Sequence, residues 1–272
     1  MKISICTVIK NRSKFTVTDK DLTDTEKQII KTSTEHLKIH ALNEGLPDFK
    51  TSADRIKEPF YPFKNCIETV KDSWSNYSSF SNHVEVEWVI VDFNSTDWPL
   101  NQWINDIWGV FKVININMEH FSKGVGLNIA IKEATGEVIF LIDADMLVGP
   151  TVFADGIGNA LNGDFFFPVC FESLDPSYLS MYPVWSGFGN VVARKSLFER
   201  VGEWANTGTW GGGDGNYFLK CKTVCDNSGR KVVRRPYFDF IHQWHPTGMR
   251  HTYYKSKPLT RPKAENKCKS CP

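Results

Sequence analysis

The chain has 272 residues, enough for one large α/β domain with or without insertions. With 41% hydrophobic and 13% aromatic residues it can fill a complete core, which excludes a globally disordered protein. A formal net charge of +1 provides no field to recruit nucleic acid or an anionic membrane, so nucleic acid is not an expected partner.

Lys2 to Ile9 reads as a first buried strand running into Lys10-Asn11-Arg12. It is too short and too interrupted for a signal peptide, and no apolar stretch approaches the ~20 residues of a membrane-spanning helix. The expectation is a soluble, cytoplasmic protein that meets membranes only through partners. Residues 13–58 are polar and charged, with helical periodicity around Asp24 to Leu42, and read as an insertion over the scaffold. Pro59 and Pro62 punctuate the entry to a helix from Phe63 to Tyr77, with Cys66, Ile67, Val70 and Trp74 at helical spacing.

Val84 to Val91 is the next strand and ends at Asp92, followed by the turn residues Asn94-Ser95-Thr96-Asp97. A helix over Leu100 to Trp108 and a strand over Phe111 to Ile116 follow. Ser122-Lys123-Gly124-Val125-Gly126 leads into a helix from Leu127 to Ala134, capped by Gly136. The apolar run Val138 to Ile142 then stops on Asp143-Ala144-Asp145. This alternation predicts an α/β domain with a central, mostly parallel sheet, in which ligands gather beyond the carboxyl ends of the strands.

The second half is rich in Gly, Trp and Phe. Phe165 to Val169 reads as a strand, Gly187 to Ala193 as a turn into another, and Lys195 to Val201 as a short helix. Trp210-Gly211-Gly212-Gly213-Asp214 is a loop entering a helix over Gly215 to Thr223. Strands over Val232-Val233 and Tyr237 to Ile241 precede His242-Gln243-Trp244-His245-Pro246. Residues 1–246 make one domain, and 247–272 a basic, Cys-containing tail.

Seven cysteines, an odd number with Cys6 and Cys170 in apolar strands, favour free thiols over a disulfide framework. Cys221-x3-Cys225 and Cys268-x2-Cys271 have the spacing of a four-thiolate zinc site if the tail folds back; otherwise they are helix-face and exposed tail cysteines.

Asp143 and Asp145 are one residue apart, so in an extended segment their carboxylates share a face. Such a pair can hold a divalent cation, or divide between a cation and a sugar hydroxyl; the alternative is a polar strand end capping its turn. Asp214 is either a helix-start cap or a general base towards an acceptor hydroxyl. Of the late histidines, His242 is the better metal ligand because it lies nearest the strand, with His245 the fallback; imidazole suits Mn²⁺ better than Mg²⁺. Asp92 can accept from a base or ribose, Lys123 can neutralise phosphate, and Asn128 starts a helix near the site.

These residues resemble the family 2-type glycosyltransferases of the GT-A fold, from Ile3 to about Pro246 and outside the insertion. Thr7 and Asn11-Arg12 are similar to the family's nucleotide-binding start. Val89-Ile90-Val91-Asp92 resembles the second strand with its base-recognising Asp. Lys123-Gly124-Val125-Gly126-Leu127-Asn128 is similar to the segment before the metal motif, and Asp143-Ala144-Asp145 resembles that motif, DxD. By resemblance Asp143 contacts ribose or sugar and Asp145 the metal.

Trp210-Gly211-Gly212-Gly213-Asp214 resembles the Trp-Gly-Gly-Glu-Asp loop of galactosyl- and N-acetylgalactosaminyl-transferring relatives, of chondroitin polymerase-like and β1,4-galactosyltransferase-like kind. Gly213 stands where those relatives carry Glu, which leaves the sugar open. The resemblance implies a UDP-sugar donor, a glycan or other hydroxyl acceptor, an Mn²⁺ or Mg²⁺ cofactor, a place in polysaccharide biosynthesis, Asp214 as base, His242 as the late metal ligand, and Trp185, Trp210 and Gly212 against the sugars. The competing readings are a nucleotidyltransferase acting on nucleotide sugars and a catalytically inactive sugar-binding relative. The first lacks its Gly-rich basic signature at Ile5 to Arg12, and the second need not retain Asp143, Asp145, Asp214 and His242 together.

Overall fold

The computed structural model describes residues 1–44, 50–81, 83–118, 121–206 and 213–247. Eleven strands, eight α-helices and a short 3₁₀ helix over Leu100–Gln102 occur among them. In chain order they are β1 (Lys2–Ile9), α1 (Asp24–Glu44), α2 (Ser52–Arg55), α3 (Pro62–Phe80), β2 (Glu85–Asp92), α4 (Ile104–Ile107), β3 (Phe111–Asn115), α5 (Lys123–Glu133), β4 (Val138–Leu141), β5 (Met146–Val148), α6 (Pro150–Leu161), β6 (Phe165–Phe166), β7 (Val169–Ser173), β8 (Met181–Pro183), β9 (Val191–Arg194), α7 (Lys195–Val201), α8 (Gly213–Asp226), β10 (Val232–Val233) and β11 (Pro236–His242).

A seven-stranded sheet runs in the order β10-β6-β9-β4-β1-β2-β3. Strands β4, β1, β2 and β3 are mutually parallel, and β9 runs antiparallel to β4. Alternation along the central strands loads both faces. Ile3, Ile5 and Ile9 of β1, with Trp88 and Ile90 of β2, pack towards Phe63, Ile67 and Val70 of α3 and Phe153 and Ile157 of α6. Cys6, Val89 and Val91 face the other way, towards Leu127 and Ala130 of α5, Leu197 and Phe198 of α7, and Tyr217, Cys221 and Cys225 of α8. A sheet buried on both faces explains the near-continuous apolar runs of its strands.

A second sheet, β5-β11-β7-β8, stands at the carboxyl edge of the first. β5 begins directly after Asp145, and β11 pairs with it antiparallel, His242 opposite Met146. That pairing carries the end of the chain's last strand back to the acidic pair.

Several sequence expectations shift. Helix α5 starts four residues earlier than read, at Lys123, because the Ser122 hydroxyl accepts the Val125 amide and caps it. Gly126 inside it is a packing residue: a Cβ there would lie 2.5 Å from Val8 Cγ1, so the helix can rest directly on β1. Gly136 does not cap this helix; Ala134 does so in extended conformation, and the Gly136 amide donates to Ser4 Oγ at 2.7 Å. The helix expected over Leu100–Trp108 breaks at Trp103, whose indole stacks on Trp98 at 4.5 Å. The strand expected over Phe165–Val169 is two strands in two sheets, parted at Pro168, which has no amide to donate.

Among the described residues, the 13–58 insertion adds no strand to either sheet. It contributes α1, α2 and the bridge of Phe15 to Phe60. No helix is long and apolar enough to cross a membrane among the described residues.

Candidate active site

A cavity of about 510 Å³ opens at the carboxyl edge of the large sheet, between it and the small sheet. Its lining includes Lys10, Arg12, Lys123, Asp143, Ala144, Asp145, Asp214, His242 and His245. The two halves of the chain therefore meet at one site, as ligand sites do at the strand ends of parallel sheets.

On one wall stand Asp145, His242 and His245. One ligand atom from each lies within 4.8 Å of the others. His242 Nε2 is 3.7 Å and His245 Nε2 3.9 Å from Asp145 Oδ2. Burial would raise the Asp145 carboxyl, but His242, then Arg12 and His245, outweigh it and hold the group far below the usual carboxylate range. Burial, with Arg12 and His242 adding to it, pushes His245 down to about 3 against the pull of Asp145. At neutral pH the triad is thus one carboxylate and an uncharged imidazole beside His242. An oxygen and two nitrogens fit a borderline divalent cation such as Mn²⁺ better than Mg²⁺, so the residues present suit the expected metal. Both histidines reach Asp145, where the sequence favoured His242 and kept His245 in reserve.

A second wall of the same cavity carries Asp143, Lys123 and Asp214. Lys123 Nζ lies 2.6 Å from Asp143 Oδ1 and 3.3 Å from Asp214 Oδ2. Lys123 opens α5 and Asp214 sits in the first turn of α8, so two helix starts converge on the end of β4. Burial would lower the Lys123 ammonium, yet the two carboxylates outweigh it and raise it. Burial raises the Asp143 carboxyl; Lys123 opposes this while Asp214 and Asp145 add to it, and the net direction is up. Asn190 fixes Asp143 from behind, its Oδ1 accepting the Asp143 amide at 2.8 Å. Gly189 lies over the cluster: a Cβ there would be 2.5 Å from Lys123 Nζ and 2.6 Å from Asp143 Oδ2.

Other expected site residues lie elsewhere. Thr7 is fully buried and accepts the Trp88 indole N–H at 3.0 Å, so it supports the sheet instead of facing the cavity. Asp92 is buried and its Oδ1 accepts the Ser95 amide and hydroxyl; burial raises its carboxyl against those bonds. Asn11, at φ 51°, takes the Thr96 amide on its Oδ1. These two residues tie the loops beyond β1 and β2 together and are not among the cavity-lining residues. Asn128 exchanges two hydrogen bonds with the backbone of Trp204, a buried residue that lines the cavity. Trp185 is 55% exposed, so it is no core residue, and its neighbours Val184 and Ser186 line the cavity. Trp210 and Gly212 lie outside the described residues, as do Cys268 and Cys271. Cys221 and Cys225 are free, buried thiols on the core face of α8.

Sequence reasoning missed Glu172 and Asn190. Glu172 lines the cavity with its Oε1 3.6 Å from His242 Nδ1. Its one signal was the alternation of β7, which puts Cys170 and Glu172 on the same face.

Residues 61–183 match the family described as glycosyl transferase family 2. The match spans Asp92, Lys123 and Asp143 to Asp145, and stops short of Asp214 and both histidines. No curated protein matches the chain. Among solved structures, S. aureus TarS is similar at a TM-score of 0.50 and 15% identity, over 92% of this chain and 38% of that one. A mannosyltransferase from Pyrobaculum calidifontis in complex with GDP-Man and Mn²⁺ is similar at 0.49 and 15%, over 90% and 58%. Glucosyl-3-phosphoglycerate synthase from Mycobacterium tuberculosis, in complex with Mn²⁺, UDP and phosphoglyceric acid, is similar at 0.48 and 15%, over 90% and 72%. The chain spans 62% or less of the TarS chains it matches. The mixed α/β domain with its large, mostly parallel sheet is of the expected GT-A type. Across residues 61–183 the chain is similar to the glycosyl transferase family 2, and in fold it is similar to TarS.

Proposed function

We propose that residues 1–246 form a metal-dependent, inverting glycosyltransferase domain. It moves a hexose or N-acetylhexosamine from a UDP-linked sugar to a hydroxyl of a glycan or other acceptor. The observation that carries this reading is one cavity with a cation-binding triad on one wall and a Lys-bridged carboxylate pair on the other.

Asp145, His242 and His245 would hold Mn²⁺, which when bound neutralises charge on the leaving diphosphate. Lys10 and Arg12 line the same cavity and add positive charge for the diphosphate oxygens. Asp143 accepts from a ribose or sugar hydroxyl of the donor. The loops tied by Asn11 and Asp92 form the base-binding end beyond the cavity. Asp214 takes the proton from the acceptor hydroxyl as that oxygen bonds to the anomeric carbon. The bond to the diphosphate oxygen breaks on the opposite face, so the configuration inverts. Trp185 offers an exposed aromatic face to a sugar ring near the mouth.

The test is a donor screen with Mn²⁺, following released nucleoside diphosphate, with UDP-galactose, UDP-N-acetylgalactosamine and UDP-N-acetylglucosamine first. Turnover of one donor that stops on chelation supports the reading. Silence across the panel with an intact Mn²⁺ site favours a binding protein, and pyrophosphate release favours a nucleotidyltransferase.

A further inference from the structure

The 13–58 insertion lies against the segment that follows β11, and that segment carries His245. Gln243, Trp244 and Thr247 around this histidine are each held from outside the segment. On the near side, the Gln243 amide donates to Asp145 O at 2.8 Å, and its side chain bonds Pro62 O and Asn65 Nδ2 at the start of α3. Trp244 is 4% exposed and packs among Leu22 and Ile30, with Val17, Ala53, Ile56, Phe60 and Tyr178 around them. All of these except Phe60 and Tyr178 belong to the insertion. On the far side, Glu26 Oε1 accepts the Thr247 amide at 2.8 Å and its hydroxyl at 2.6 Å.

Glu26 is itself fixed. Its other oxygen accepts the Thr23 amide and hydroxyl, both at 2.7 Å, and the Thr23 hydroxyl accepts the Glu26 amide in return. This is a capping box at the start of α1 in which one carboxylate oxygen is committed to the helix and the other to Thr247. The insertion thus grips residues 244 and 247, and between them His245 is buried, its side chain 4% exposed. Its Nδ1 lies 3.3 Å from Pro246 O. With the proton on that nitrogen, the lone pair of Nε2 points to Asp145.

We propose that the insertion is the brace of the metal centre: through Glu26–Thr247 and the seat of Trp244 it presents His245 as a second imidazole ligand, and Glu26 is a positioning residue for it. This rests on the metal-site reading above. A histidine on an unbraced segment would have to be ordered each time the cation bound, and that ordering opposes binding. The insertion removes that cost before the cation arrives.

The experiment is Mn²⁺ titration of the full chain without donor, read by calorimetry and by the paramagnetic signal of free Mn²⁺. Glu26→Ala should weaken Mn²⁺ binding by roughly 10-fold, the low end for losing a partner that orients a ligand. His245→Ala should weaken it at least as much, and Glu26→Ala in that background should add nothing. Thr247→Ala removes only the hydroxyl half of the grip and should give a smaller loss, which keeps the test open if Glu26→Ala unfolds. Folded variants that bind Mn²⁺ like the wild type, or losses that add independently of His245, overturn the brace. Failure of the transferase reading looks different: Mn²⁺ binding and its dependence on Glu26 persist while no donor is turned over.

Discussion

The two walls of the cavity are built on different principles. The wall of Asp145, His242 and His245 is held by sheet register and by a packed insertion: β5 pairs with β11, Gln243 extends that ladder, and Trp244 and Thr247 are gripped from 13–58. The wall of Asp143, Lys123 and Asp214 is held by charge at two helix starts, with Gly189 over it. A cation site needs its ligands fixed before binding, since every ångström of misplacement weakens coordination. A proton-accepting carboxylate needs room for the acceptor, and a Lys that bridges it to the donor side can exchange partners as substrates enter. The structure is stiff where the metal would sit and ionic where the chemistry would occur.

The sharpest way to break this comparison is Asp214→Asn. It should lower turnover by on the order of 10³-fold, within the span of general-base losses, and leave nucleotide and Mn²⁺ affinity intact. Retained turnover with a working donor would remove the base from this wall. Next, Asp145→Ala should weaken Mn²⁺ binding by roughly 10²-fold with turnover partly restored by added Mn²⁺, taking loss of a direct ligand as at least the upper end of an outer-partner loss. An unchanged titration curve would move the metal elsewhere.

A smaller effect is expected at Gly189. Its Cβ in Gly189→Ala would press on Lys123 Nζ and Asp143 Oδ2, parting the bridge. Turnover should fall by about tenfold, the equivalent of one charge-assisted bond, while Mn²⁺ affinity stays at the wild-type value. A parallel fall in Mn²⁺ affinity would show that the two walls are one unit.

The smallest effect serves as a control far from both walls. Glu87 accepts from Ser4, Lys2 and Thr135, and although burial works against them, these donors lower its carboxyl from 4.5 to about 2. The folded state therefore binds its proton more weakly than the unfolded state. The stabilisation is complete above pH 4.5 and is lost as pH falls towards 2. Glu87→Gln should cost roughly 1 kcal/mol at neutral pH, and the wild-type advantage in urea melts should shrink through that window. An advantage that is constant with pH would assign the effect to packing.

Much of this site was legible one residue at a time. An apolar strand ending on Asp143 and Asp145, a glycine run before Asp214 and a late pair of histidines each signal chemistry through local pattern. Lys123 and Arg12 were legible as basic residues at loop positions, though not their places in the cavity. Thr7 misled because alternation along β1 aims it at the Trp88 indole. Asp92 and Asn11 were read at the right edge, but their side chains tie loops together. Glu172 was invisible because a single acid in a short strand carries no pattern until β11 lies beside it.

The sequence by itself determined the element types, the parallel α/β core and the acidic strand end, because burial and hydrogen bonding impose periods of two and 3.6 on a chain. Tertiary structure decided which carboxylate meets which partner. Asp143 and Asp145 are separated by the single residue Ala144, yet one faces Lys123 and Asp214 and the other faces His242 and His245. That division depends on residues 70 to 100 positions away being returned to the same strand end. It also gives the 13–58 insertion a place, because helices polar on their outer side and unpaired with the sheet reveal their role only through what they press against.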